Sequence, residues 1–486
     1  MDIRLKNIGI IKDSSIRLDG LTVITGANNS GKTTVGKVIY SLFDAVSDLP
    51  EKSEEDRHIY ISQKLGNIRT KLATVFKVSY FEHNDEQIFS KDSVIGNLLY
   101  DSDGFLNNSF DKFTEEFTYK LRDELIEFDV SSIDENSKLF QSYRQLSIRN
   151  NTNINTFRNS IKNEIDDVID AINQMFIDIK RDPELIDYAR ESINRQLSAE
   201  FYKQIQPVKI DVENSRIELL DINKTMFAFD IKQNKIINDG NPVFWNMSYK
   251  KIFFIDNPFI LDSDNPIGAL IRCFENRKDL SHIYRFASHD VKLYQTLRKN
   301  KPTTVFEQTI IDNGLGLIKE KIDEVISGDF EFSSDGEFYV KEGKKLNTTN
   351  LATGSKMFSI LKILLDKGEI DETTFLILDE PEAHLHPSWQ NKFAEVIVLL
   401  VKYLNTQVLL TSHSPNFVLA IDAYMRKYDI IDKTNFYQTN YLDDGLVEYV
   451  NVNDDLGQIY SDFMRYLSEV KQLRDYYYNL GENHDS

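Results

Sequence analysis

Apolar and polar positions along the chain follow two rhythms. Four short stretches are apolar without alternation: Leu21-Thr-Val-Ile-Thr25, Lys251-Ile-Phe-Phe-Ile255, Phe375-Leu-Ile-Leu378 and Gln407-Val-Leu-Leu410. Such stretches predict strands buried on both faces of a parallel sheet. Met1 to Leu18 alternates loosely and predicts two short strands joined near Lys12-Asp13. Ser215 to Ile237 predicts strands around turns at Asn223-Lys224 and Gln233-Asn234. Hairpins are predicted over 330–341, turning at Ser334-Asp335-Gly336, and over 436–451, turning at Asp443-Asp444-Gly445.

The second rhythm is helical. Apolar residues recur at three- and four-residue spacing in Phe110–Phe128 and Ile154–Ile179, inside a polar stretch from Ser47 to about Gln206. That stretch predicts a helical insertion with its own aliphatic core and a solvated acidic face, or else a docking surface for another subunit. It has no sustained heptad, so a long coiled-coil arm is not expected. Further helices are expected after Gly31 through Phe43, over much of 267–302, over Phe358–Asp366 and Pro387–Tyr403, and from Leu456 to about Tyr478, with Gly481–Ser486 a frayed tail. The fold class is α/β.

Composition changes this picture in three places. A length of 486 residues suggests two or three units with ample core. The net charge of -20 opposes nucleic acid and anionic membrane, so any such contact needs a local basic patch. Residues 267–302 are locally basic, with Arg272, Arg277 and Arg285 among them, and read as a possible DNA contact, a contact for the acidic insertion, or a solvated face. The single cysteine, Cys273, excludes an internal disulfide and a Cys-built zinc site. No apolar stretch reaches membrane-spanning length and no signal-peptide pattern opens the chain, so a cytoplasmic location is expected.

The candidate chemistry sits at the ends of the apolar stretches. Leu21–Thr25 runs into Gly26-Ala-Asn28-Asn29-Ser30-Gly31-Lys32-Thr33-Thr34 and then an apolar helix, which is G-x-x-x-x-G-K-[ST] between strand and helix. The glycines let the backbone turn its N–H groups toward phosphate oxygens at a helix N-terminus. Lys32 can reach the β- and γ-phosphates, and the Thr33 hydroxyl can ligate Mg²⁺. Phe375–Leu378 ends in Asp379-Glu380, where Asp379 can help hold Mg²⁺ and Glu380 can orient or deprotonate a water. Leu351-Ala352-Thr353-Gly354-Ser355 opens a helix as a second anion cradle. Gln407–Ser412 delivers His413 beside the acidic pair if the two strands lie parallel. Asp256-Asn257 also ends a strand, with no assigned role, and His282 and His289 are not read as metal ligands.

Taken in order, these segments resemble the ABC-type ATPases, in the branch that includes SMC, RecF and OLD proteins, over roughly residues 1–43 and 250–455. By that resemblance Gly26–Thr33 matches Walker A, Phe375–Asp379 matches Walker B, Glu380 the catalytic glutamate and His413 the switch histidine. Leu351–Ser355 matches the signature, with Ala352 where the family usually has serine, so that Thr353 or Ser355 would supply the hydroxyl. The string Glu380-Pro-Glu-Ala-His384-Leu-His386-Pro, with Thr411-Ser-His-Ser-Pro downstream, is most similar to ATPase subunits of the Septu anti-phage systems (PtuA).

The resemblance implies an ABC-type ATPase head, a mostly parallel sheet with an antiparallel β lobe, interrupted by a large helical insertion. Its parts would be residues 1–46, an insertion over 47–206, the rest of the head over 207–455, and a C-terminal helix and tail over 456–486. It also implies ATP and Mg²⁺ as ligands, a homodimer or higher oligomer joined head to tail through the heads, and a sensor role beside a separate HNH-type nuclease. A DNA repair or chromosome-maintenance ATPase that clamps DNA itself is the alternative. A built-in nuclease is not expected, because the thirty-odd residues beyond Asn453 cannot hold one, and a transporter component is disfavoured by the large insertion.

Overall fold

The computed structural model describes residues 1–76, 89, 93–100, 114–146, 153–180, 185–221, 224–237, 249–262, 267, 288–299, 313–333 and 336–482. The chain forms two compact units, one of residues 1–47, 189–272 and 286–486, the other of residues 48–188 and 273–285.

The first unit is built on strands β1 (Asp2–Ile8), β2 (Ile11–Arg17), β3 (Leu21–Thr25), β4 (Ser215–Asp221), β5 (Lys224–Lys232), β6 (Lys235–Ile237) and β7 (Lys251–Ile255). It continues with β8 (Asp329–Ser333), β9 (Gly336–Lys341), β10 (Lys344–Asn347), β11 (Thr374–Asp379), β12 (Gln407–Ser412), β13 (Thr434–Tyr441) and β14 (Val447–Asn451). Eleven of these make one sheet in the order β6-β5-β4-β1-β2-β14-β13-β3-β12-β11-β7. From β13 to β7 neighbouring strands are parallel, and β6 to β2 form an antiparallel lobe continuous with them. The α/β class and this division of the sheet are those expected of an ABC-type head. The four apolar stretches are β3, β7, β11 and β12, and their side chains are nearly all buried on both faces. The helix Lys32–Val46 packs on β7, β11 and β12.

Register places the chemistry. Asp379 pairs with Thr411, Ser412 with Thr25 and Leu378 with Ile255, so the C-terminal ends of β7, β11, β12 and β3 emerge along one edge.

Several local expectations are corrected. The first hairpin turns at Gly9-Ile10, because Gly9 takes the positive φ the turn needs while Lys12-Asp13 stay extended in β2. A third strand, β10, joins β8 and β9; its exposed lysines hid the alternation. The helix expected from Phe358 begins at Thr353, inside the glycine turn. The last helix runs Gly457–Glu482, so Gly481 and Glu482 belong to it and not to a tail. The turn at Gln233-Asn234 stands, both residues at positive φ. Residues 101–113, Ser334-Asp335 and Asn223 lie outside the described residues.

The second unit is helical over Leu49–Val75, Val94–Tyr100, Glu115–Glu127, Lys138–Leu146 and Ile154–Lys180. Ile61, Leu65, Ile68 and Leu72 make one stripe of the first of these helices and meet Ile161, Ile165, Val168 and Ile172 of the last in a buried cluster. Tyr119 stacks on Phe176 at 4.0 Å. Glu51, Glu54 and Glu55 are solvated. No helix among the described residues is long and apolar enough to cross a membrane.

Candidate functional site

The loop after β3 turns through Asn29 (φ 62°) and Gly31 (φ 81°) before the helix begins at Lys32. A Cβ at Gly31 would lie 2.6 Å from Ile10 Cγ2, so this position needs glycine for both space and φ. Two tyrosines from the neighbouring strands β13 and β14 hold the loop: Tyr449 donates its hydroxyl to Gly31 O at 2.6 Å, and Tyr441 to Asn28 O at 3.2 Å. Neither stood out in the sequence, since they come from strands more than 400 residues away.

Lys32, only 4% exposed, donates to Gly26 O (3.1 Å) and Ala27 O (2.9 Å) and lies 3.2 Å from Glu380 Oε1. Thr33 donates its hydroxyl to Asp379 Oδ2 at 2.7 Å, and Thr411 donates to Oδ1 at 2.5 Å. Burial raises the Asp379 pKa above the usual carboxylate value, against these two hydroxyls, which favour the charged form. Glu380 adopts φ 48°, uncommon for a residue with a side chain, and its N–H donates to Thr411 O at 3.1 Å. On its other side Glu380 Oε2 lies 3.1 Å from His413 Nδ1. Lys32, Thr33, Asp379, Glu380 and His413, from three separate segments, therefore share one site.

Ser30 Oγ and Thr439 Oγ1 are buried beside this loop and make no hydrogen bond. Two orphaned hydroxyls, a lysine ammonium resting on carbonyls and a threonine–aspartate pair are the donor set a Mg²⁺–phosphate group requires, and Thr33 and Asp379 could hold the cation. Asn28 and Asn29 are exposed at the loop tip, and the Thr34 N–H donates to Gly31 O at 2.9 Å.

Glu382 belongs to the 380–387 string, which the sequence marks as distinctive without giving this residue a role. It is 1% exposed and accepts from the Ser412 hydroxyl (2.5 Å) and the His413 N–H (3.2 Å), fixing the backbone that carries His413. Burial raises its pKa. His386 caps the next helix, its Nδ1 accepting from the Ser388 N–H.

The turn Thr353-Gly354-Ser355 lies elsewhere. Gly354 packs under His384 O, Leu385 and Trp389, and the Ser355 hydroxyl donates to Ala352 O at 2.7 Å. Among the described residues no hydrogen bond or ion pair joins this turn to residues 26–34.

His289 sits among carboxylates from three segments. Its Nδ1 lies 2.8 Å from Glu200 Oε2, and its Nε2 faces Asp256 Oδ2 at 3.2 Å and Asp290 Oδ1 at 3.7 Å. The ring is buried, which opposes charging, but the Asp256 and Glu200 carboxylates at its two nitrogens push its pKa up to about 10. Of the basic stretch, Lys292 pairs with Asp44 and Arg298 holds Glu337 through Nε (2.6 Å) and Nη2 (2.5 Å). Lys299 is exposed; His282, Arg272, Arg277, Arg285 and Lys301 lie outside the described residues.

A phosphate-binding loop between strand and helix, an acidic strand end beside it and a parallel sheet define an ATPase domain of the phosphate-loop class. The family model described as AAA ATPase domain matches residues 1–418, and the chain belongs to that family. No curated protein matches the chain. Among solved structures it is similar to an SMC head domain from Thermotoga maritima, at 12% identity and TM-score 0.33, with 93% of this chain and 98% of that one covered. It is also similar to an Smc head domain with a coiled coil and joint from Pyrococcus yayanosii, at 12% identity and TM-score 0.30, covering 97% and 99%.

Proposed function

We propose that the chain binds Mg·ATP on the 26–34 loop and hydrolyses it with Glu380 as general base. The observation that carries this reading is the position of Glu380, between Lys32 Nζ at 3.2 Å and His413 Nδ1 at 3.1 Å, next to an Asp379 held by two hydroxyls. Lys32 leaves the Gly26 and Ala27 carbonyls to pair with phosphate oxygens. That move frees Glu380 to accept a proton from a water, while His413 faces the γ-phosphate. Thr33 and Asp379 would hold Mg²⁺, which would supply charge neutralisation to the phosphates when bound.

The 353–355 turn is the N-terminus of a helix with no link to the loop of its own chain. We assign it to the ATP of a second copy, so that two heads close head to tail over two nucleotides. Residues 380–387 and 411–415 support, by their similarity to anti-phage ATPases, a sensor or regulatory subunit acting with a separate nuclease of HNH type in the cytoplasm. The DNA-clamping reading stands as the alternative: of the basic stretch, Lys292 and Arg298 are occupied by acids of the same chain, while Arg272, Arg277 and Arg285 lie outside the described residues.

The test is steady-state ATP hydrolysis by the wild-type chain and Glu380→Gln. The variant should bind ATP and turn over ~10²–10⁴-fold more slowly, the usual cost of losing a general base. An unchanged rate removes Glu380 from that role.

A further inference from the structure

We infer that Asp256, His289 and Asp290 form a binding site for one divalent cation of the zinc or manganese class, separate from the nucleotide's magnesium. Three segments distant in sequence build it: the end of β7, the start of the His289–Arg298 helix, and Glu200 at the end of the Leu185–Glu200 helix. His289 Nε2, Asp256 Oδ2 and Asp290 Oδ1 all lie within 4.8 Å of one another. Metal–ligand bonds of ~2.0–2.2 Å set ligand atoms roughly 3–3.5 Å apart; of the two distances from Nε2, 3.2 Å falls within that spacing and 3.7 Å lies just beyond it.

Two further observations point to a cation. His289 is 6% exposed, and its Nε2 is buried and makes no hydrogen bond although it is aimed between the two carboxylates. The opposite nitrogen is fixed by Glu200, itself 3% exposed, which also accepts the His289 N–H at 2.9 Å. A buried carboxylate that orients a histidine so that its other nitrogen faces open ligands is the outer shell of a histidine–metal site. Phe254 at 4.3 Å and Tyr40 at 5.8 Å wall the ring off on its apolar side. Asp256 and Asp290 are partly exposed, leaving room for water as a further ligand. Three carboxylates around one imidazole leave an excess of negative charge even with the ring protonated, and a divalent cation offsets it. One nitrogen with carboxylate oxygens selects zinc or manganese over the all-oxygen preference of magnesium and calcium.

This site does not depend on ATP turnover, so its test uses nucleotide-free protein. The purified full-length chain is stripped with chelator and titrated separately with Zn²⁺ and Mn²⁺ by calorimetry, with metal retained after desalting measured by atomic emission. The wild type should bind one equivalent of one of these ions. His289→Gln and the partly exposed Asp290→Asn should each weaken binding at least tenfold, and Glu200→Gln ~10- to 100-fold through loss of the orienting carboxylate. Asp379→Asn and Cys273→Ser should retain it. Circular dichroism confirms that each variant is folded, and Asp290→Asn keeps the test decisive should His289→Gln fail to fold. No stoichiometric metal on the wild type would overturn the proposal, leaving an imidazolium between two acids. Equal binding by Asp290→Asn, or loss in Asp379→Asn alone, would overturn it too.

Discussion

Glu395 shows how this molecule uses single charged residues. It is 5% exposed in the Pro387–Leu404 helix and accepts from Lys427 Nζ and the Tyr428 hydroxyl, both at 2.6 Å. Burial favours its neutral form, but the two donors outweigh burial and lower its pKa from 4.5. A lowered folded pKa means stability that is full above the unfolded value and is lost as pH falls through the folded one. Glu395→Gln should therefore cost roughly 1–3 kcal/mol at pH 7, and the gap in thermal unfolding between wild type and variant should narrow below about pH 4. A pH-independent gap would deny the carboxylate its role. At this scale the sequence was informative where chemistry fixes local spacing. Lys32, Thr33, Asp379 and Glu380 sit in short strings, a phosphate-loop motif and an acidic strand end, that can be recognised without the fold. The contacts of Glu382, Tyr441 and Tyr449 were not legible, because strand pairing alone brings their partners near.

Strands and helices repeat that lesson. The apolar stretches of β3, β7, β11 and β12 announced themselves because a strand covered on both faces loses the apolar–polar alternation of a half-exposed one. Their order in the sheet could not be read from periodicity, which says nothing of neighbours. The turn at Gly9-Ile10 was missed because backbone φ, not polarity, decides it. The loop between β3 and its helix is the element most exposed to a backbone test. Gly31→Ala meets both a φ of 81° and Ile10 Cγ2 at 2.6 Å, so it should destabilise the fold by about 1–3 kcal/mol and weaken nucleotide binding together. Thermal unfolding and a nucleotide titration measure the two, and a variant matching wild type in both would show that the loop does not need this geometry.

At the scale of the whole molecule, no hydrogen bond or ion pair among the described residues joins the phosphate loop to the 353–355 turn, and in the proposed head-to-tail arrangement a second copy completes the site. Lys32→Ala removes the loop's cation from one partner. Thr353→Asp places a carboxylate at a helix N-terminus, where it suits the fold but repels an incoming phosphate. Each variant alone should be inactive. In an equal mixture, heterodimers contain one intact site, made from the loop of the Thr353→Asp chain and the turn of the Lys32→Ala chain. The decisive measurement is ATP hydrolysis by that mixture: a head-to-tail dimer predicts recovery to about a quarter of wild-type turnover, from random pairing of two-fold dimers with one working site. A mixture as inactive as its two components would contradict the shared site.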